Sequence, residues 1–131
     1  MRYLPDINLL LALAHSGHAH HARAARWYMA VRPTAEALHT CAITELGFVR
    51  VAVQASLQLD VTEARRALAR LKSSSAVPFL LLPDSLGADR LPAFARTPQK
   101  LTDGHLLELA RAHGAALVTL DAGIPGALLV A

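Results

Sequence analysis

The chain contains a single cysteine, Cys41, and only two lysines, Lys72 and Lys100, among 131 residues. One cysteine excludes an intramolecular disulfide framework and fits a reducing compartment. With lysine so scarce, the 13 basic residues are almost all arginine, and against 10 acids they leave a formal charge of +3. That excess permits a phosphate-bearing partner without requiring one. Aromatic residues make up only 5%. Long apolar runs are also missing, and none approaches the roughly 20 residues that span a bilayer. Yet 53% of the residues are apolar and 18% charged, which excludes a disordered polymer. The length suits one domain with its own core. Ile7–Ala14 has the apolarity of a secretory leader, but Asp6 stands where a positive charge belongs and Asn8 interrupts the run. A cytoplasmic protein is expected.

Proline and glycine divide the chain into short apolar runs that alternate with longer helical patterns. Strands are expected at 2–5, 38–42, 79–82, 116–120 and 127–130. Helices are expected at 8–14, 20–31, 44–53, about 61–71 and 101–113. In the second of these, Ala24, Trp27, Tyr28 and Val31 share one face. In the third, Leu46, Val49 and Val53 form the expected inner face. Asp60-Val61-Thr62-Glu63 has the form of a capping box. Unbroken apolar strands alternating with helices predict a parallel sheet covered on both faces, as one α/β domain over residues 1–131.

The ten acids sort by their neighbours. Glu36, Asp60, Glu63, Asp84, Asp89 and Glu108 keep polar company and read as solvated charges. Asp6, Glu45, Asp103 and Asp121 lie in apolar surroundings, with no Lys or Arg in the four residues after each. Asp6 and Asp121 follow expected strand ends, Glu45 lies just beyond a third, and Asp103 opens a helix. Asp is among the best helix caps, so any one of them is explained by capping alone. Together they converge on the carboxyl edge of a parallel sheet, where ligands bind. Two carboxylates ~5 Å apart repel by roughly 3 kcal/mol at an effective dielectric near 20. Such a group calls for protonation or a cation. Hard oxygen donors without nearby Cys or His favour Mg²⁺ or Mn²⁺. Those ions suit phosphodiester hydrolysis, in which a bound water is activated and no nucleophilic side chain is needed. No serine occupies a Gly-x-Ser-x-Gly elbow.

The series Pro5-Asp6-Ile7-Asn8, Thr44-Glu45-Leu46-Gly47-Phe48, Thr102-Asp103-Gly104-His105 and Thr119-Leu120-Asp121-Ala122-Gly123 resembles the PIN domain. More narrowly it is similar to the VapC toxins of bacterial toxin–antitoxin pairs. Each motif alone is weak, whereas the ordered set covers nearly the whole chain. The resemblance implies an α/β/α sandwich around a parallel sheet of four to five strands. It also implies a metal-dependent endoribonuclease with Asp6, Glu45, Asp103 and Asp121 as its acidic quartet. Asp6, Asp103 and Asp121 would hold Mg²⁺ or Mn²⁺, with Asn8 and Thr119 in support. A homodimer restrained by a VapB-type antitoxin is implied as well, with Trp27, Tyr28 and Val31 as candidate partner surface. Gly104 departs from the family pattern, in which a helix former such as Ala is more usual.

Other signals read more plainly. His15, His18, His20 and His21 are close enough to suggest zinc, but Cys is absent nearby and a polar turn explains them. Arg65, Arg66, Arg70 and Lys72 read first as a solvated helix face. Arg90, Arg96 and Lys100 precede Asp103 and are the expected contacts to RNA phosphate. A phosphatase of the haloacid-dehalogenase type would need a second Asp where Asn8 stands. A receiver-like module would need paired acids after the first strand, and a PIN-like fold without catalysis would not need the quartet.

Overall fold

A computed structural model describes residues 1–131. The chain runs β1 (Arg2–Pro5), α1 (Ile7–Ala14), α2 (His21–Val31), β2 (Ala37–Thr40), α3 (Ala42–Gln54), α4 (Val61–Ser74), β3 (Phe79–Leu81), α5 (Leu101–Ala112), β4 (Ala116–Thr119) and β5 (Leu128–Leu129). Two single-turn 3₁₀ helices, Ala88–Arg90 and Pro98–Lys100, interrupt the connection before α5. All pairings are parallel, in the order β3-β2-β1-β4-β5. The chain therefore leaves β1 in both directions, and the reversal between β1 and β4 opens a crevice at their carboxyl ends.

Strand alternation assigns the two faces. Tyr3 and Val118 pack with Leu9, Ala12 and Ala24 under α1 and α2. Their neighbours Leu4 and Leu117 pack with Leu106, Leu109 and Ala110 of α5 on the opposite face. A third cluster joins Leu10 and Leu11 to Phe48, Ala64 and Leu68, which ties α3 and α4 to α1. Each fully buried leucine here stabilises the fold by about 1.5–3 kcal/mol relative to an exposed one. Gly47 permits the close approach of α1 and α3, since a Cβ there would collide with the Ile7 side chain.

Three expectations need correction. β2 ends at Thr40, so Cys41 is the buried N-cap of α3 and not a strand residue, with its N–H donated to Thr44 Oγ1 at 2.9 Å. The buried side of α3 is Thr44, Gly47, Phe48 and Ala52, while Leu46 is 68% exposed. This helix carries apolar residues on two sides, so periodicity alone could not choose between them, and packing of Phe48 against Leu10 and Leu11 of α1 decides. The run at Phe79–Leu82 is only partly buried, because β3 is an edge strand whose Leu80 and Leu81 stay open to solvent.

Trp27 and Tyr28 are engaged within the chain. Trp27 meets Tyr3 edge-to-face at 5.6 Å between centroids. The Tyr28 hydroxyl bonds Ser75 Oγ and accepts from the Ala76 N–H, both at 2.9 Å. Buried His39 of β2 donates from Nδ1 to the Leu80 carbonyl and accepts at Nε2 from Arg2 Nε, both at 3.1 Å.

Candidate metal centre

The crevice between β1 and β4 holds the chemistry. Asp6 ends β1 and caps α1, with the Leu9 N–H donating to Oδ1 at 2.9 Å. Its own N–H bonds the Val118 carbonyl at 3.0 Å, which locks the residue to β4. Thr119, at the end of β4, donates from Oγ1 to Asp6 Oδ2 at 2.6 Å and accepts the Asp121 N–H at 2.9 Å. One hydroxyl thus couples two acids that are 115 residues apart in sequence. Asp121 Oδ1 in turn accepts the Gly123 N–H at 2.7 Å, an Asx turn that fixes the loop. Capping and facing a ligand are compatible roles here. Asp6 does both.

Asp6, Asn8, Thr102, Asp103 and Asp121 line one cavity of about 340 Å³, with Ile7, Leu11, Val51 and Leu106 forming its apolar wall. Burial raises the Asp6 carboxyl above its usual value. The Thr119 and Leu9 hydrogen bonds oppose that rise, and the charges of Asp103 and Asp121 add to it. Asp103 is raised by burial and then by Asp121, with Lys100 pulling the other way. The protein therefore does not neutralise this cavity by itself.

Glu45 lies elsewhere. Its Oε2 accepts from Lys72 Nζ of α4 and from Thr40 Oγ1, both at 2.5 Å. It lines a separate groove between α3 and α4 with Leu46, Val49, Val53, Val61 and Leu68. The structure brings three of the four expected acids together, and gives the fourth a cation of its own. Lys72 was expected on a solvated face. The signal that marks it is rarity, since both lysines of the chain attend these acids. Lys100 Nζ bonds the Gly123 carbonyl at 3.2 Å, beside the Asp121 turn. Arg90 and Arg96 are exposed in the preceding connection and do not line the cavity.

Two further residues were missed. Asp84, expected as solvated, bonds His105 Nε2 at 2.5 Å, and both side chains are largely covered. Burial alone would raise the Asp84 carboxyl. The hydrogen bonds from His105 and the Leu86 N–H, with the charges of His105 and His113, lower it overall. His18 reaches back to Asn8 at 3.1 Å.

The donor set fits a hard divalent cation. It consists of carboxylate oxygens, with no Cys or His lining the cavity. No three His, Cys, Asp or Glu side chains are gathered closely enough to hold an ion by themselves, so bound waters would complete the shell. An open site suits Mg²⁺, which keeps several waters and binds through few carboxylates.

A parallel sheet with acids converging at its switch point is a known architecture, and residues 3–126 match the PIN domain family. The chain is 41% identical over 124 residues to ribonuclease VapC38 of Mycobacterium tuberculosis, covering 92% of this chain and 86% of that protein. It is 37% identical over 130 residues to ribonuclease VapC44 of the same species, covering 95% and 89%. Among solved structures it resembles M. tuberculosis VapC20, a sarcin–ricin-loop-cleaving toxin, at a TM-score of 0.64, with 16% identity and coverage of 93% and 92%. A toxin–antitoxin complex from Klebsiella pneumoniae matches at a TM-score of 0.58, with 25% identity over 98% of both chains. The chain belongs to the PIN-domain family, in its VapC ribonuclease branch. That membership displaces the phosphatase and receiver-like readings.

Proposed function

We propose that this protein is the toxin of a VapBC-type pair, an endoribonuclease that hydrolyses RNA phosphodiester bonds with Mg²⁺ or Mn²⁺ in the cytoplasm. The observation that carries the reading is the Asp6–Thr119–Asp121 linkage beside Asp103, in one cavity whose three carboxylates are only partly offset by Lys100. Asp6, Asp103 and Asp121 would hold the metal, which would supply Lewis acidity and an activated water. Thr119 holds the Asp6 carboxylate in one orientation, and the Gly123 N–H does the same for Asp121. Lys100 at the rim adds positive charge for the phosphate, and Arg90 and Arg96 extend it along the strand's path. Glu45 is the fourth acid of the family pattern, held by Lys72 and Thr40 outside this cavity.

The names of the VapC relatives and the resemblance to a toxin–antitoxin complex support a small antitoxin partner, and a homodimer is proposed on the family resemblance alone. With Trp27 and Tyr28 occupied inside the chain, the apolar α3–α4 groove, rimmed by Arg50, Arg65 and Lys72, is the surface offered to such a partner. No helix is long and apolar enough to cross a membrane. The test is cleavage of single-stranded RNA by the purified chain. Activity with Mn²⁺ that is abolished by EDTA is expected, and equal cleavage in EDTA would overturn the metal assignment.

A further inference from the structure

The histidines between α1 and α2 are explained one nitrogen at a time. His15 Nδ1 bonds the Leu11 carbonyl at 2.9 Å and its Nε2 meets Gln58 at 3.0 Å. His21 Nδ1 bonds the Ala12 carbonyl at 2.7 Å. His21 thus satisfies the Ala12 carbonyl at the end of α1, while the Leu11 carbonyl reached by His15 also accepts the backbone N–H of His15 at 3.1 Å. With those nitrogens engaged, the rings are not arranged as a zinc site.

His18 differs, because it points back along α1 to the cavity. The His20 backbone N–H donates to His18 Nδ1 at 3.0 Å. A backbone amide can only donate, so Nδ1 carries a lone pair and the proton of the neutral ring sits on Nε2. Nε2 lies 3.1 Å from Asn8 Oδ1 and donates to it. Burial, followed by the charges of His20, His15 and His21, lowers the His18 pKa and keeps this neutral tautomer in place at pH 7. The Asn8 carbonyl is thus tied back, and its NH₂ makes no hydrogen bond within the chain. Asn8 lines the same cavity as Asp6, Asp103 and Asp121.

We propose that His18 is a positioning residue for the acidic cavity. Through the chain His20 N–H → His18 → Asn8 Oδ1, it turns the Asn8 amide so that two N–H donors face the substrate. Their target is a non-bridging oxygen of the scissile phosphate. In a cavity lined by three carboxylates, a flipped amide would present a fourth anion-repelling group. This inference rests on the ribonuclease reading above.

The experiment is RNA cleavage in Mn²⁺ by wild type, His18→Ala, His18→Gln, Asn8→Ala, the double variant His18→Ala/Asn8→Ala, and His20→Ala. His18→Ala and Asn8→Ala are each expected to lower kcat about tenfold with little change in KM, as for one lost transition-state hydrogen bond. The double variant should be no worse than Asn8→Ala. His18→Gln retains a donor and should recover most of the loss. His20→Ala keeps the backbone N–H and should stay within about twofold of wild type. Thermal stabilisation by Mn²⁺ alone should be unchanged in His18→Ala. Long-range ¹H–¹⁵N spectra should show His18 protonated on Nε2. An inactive wild type would overturn the ribonuclease reading itself. With an active wild type, multiplying losses in the double variant, or a ring protonated on Nδ1, would overturn the positioning role.

Discussion

At the residue scale, the three cavity acids differ in how strongly the fold depends on them. Asp103 makes no cap or threonine contact, and its raised pKa reflects burial and the Asp121 charge. Between the ordinary carboxylate value and that raised one, the native state binds more protons than the unfolded chain. Stability therefore falls as pH rises through that window and stays lower above it. Asp103→Asn removes the penalty and should stabilise the metal-free protein at pH 7. The gain should be below about 1 kcal/mol, because a partly exposed charge is screened. The same change should abolish the Mn²⁺-induced rise in melting temperature and cut cleavage about 100-fold or more. Asp6→Asn should stabilise less, since its NH₂ must replace one of the two oxygens that now accept from the Leu9 N–H and the Thr119 hydroxyl. Glu45→Gln should be milder in cleavage than Asp103→Asn, because Glu45 is paired with Lys72 and lies outside the cavity. Thr119→Val should cost about 10–100-fold in metal affinity by freeing Asp6, with Thr119→Ser close to wild type. Thermal melts with and without Mn²⁺, beside one cleavage assay, check all four.

At the element scale, Gly104 shows how packing overrules propensity. In the sequence it reads as a softened start to α5, since Gly costs a helix about 1 kcal/mol relative to Ala. In the fold Gly104 is buried, and a Cβ there would stand 2.7 Å from Ala95 Cβ and 3.1 Å from Pro92 Cδ. Glycine lets the 91–96 connection lie against α5 next to Asp103. Gly104→Ala is therefore expected to lose more by overpacking, about 1–3 kcal/mol, than it gains in propensity, and denaturant unfolding reads the sign. The elements themselves were largely legible, because each strand is a short apolar run and Pro or Gly marks most ends. The convergence of Asp6, Asp103 and Asp121 was legible as well, since strand ends at a switch point share one edge. What was not legible depends on partners distant in sequence. Lys72 reaches Glu45 across 27 residues and His105 reaches Asp84 across 21. The buried side of α3 was hidden for another reason, as Leu46 and Phe48 are equally apolar and only the arrival of α1 selects between them.

At the scale of the whole molecule, charges buried for different reasons give opposed pH dependences. His39, inside the sheet, has its pKa lowered first by burial and then by Arg2 and His113, with the Leu80 carbonyl opposing. Below about pH 6.5 the unfolded chain protonates this imidazole while the native ring stays neutral. The unfolded state then binds more protons, and stability is lost as pH falls from that value toward the lowered one. Asp84 is lowered too, so its contribution is present above the ordinary carboxylate value and is lost only in stronger acid. Asp6 and Asp103 act in the opposite sense, gaining stability as pH falls toward their raised values. Metal-free protein should therefore weaken as pH falls below about 6.5, with a slope of up to about 1.4 kcal/mol per pH unit from His39 and a further contribution from His18. At lower pH, protonation of Asp6 and Asp103 should flatten the decline. His39→Gln keeps a donor for Leu80 and an acceptor for Arg2 but cannot titrate, so it should make the first fall shallower and leave the share of His18, whose pKa is lowered too. Asp103→Asn should leave the first fall intact and remove part of the flattening. Urea unfolding at half-unit steps from pH 7.5 to 4.5 separates the two. A His39→Gln profile that still falls below pH 6.5 as wild type does would show that another histidine, not the one buried in the sheet, sets the acid limit of this fold.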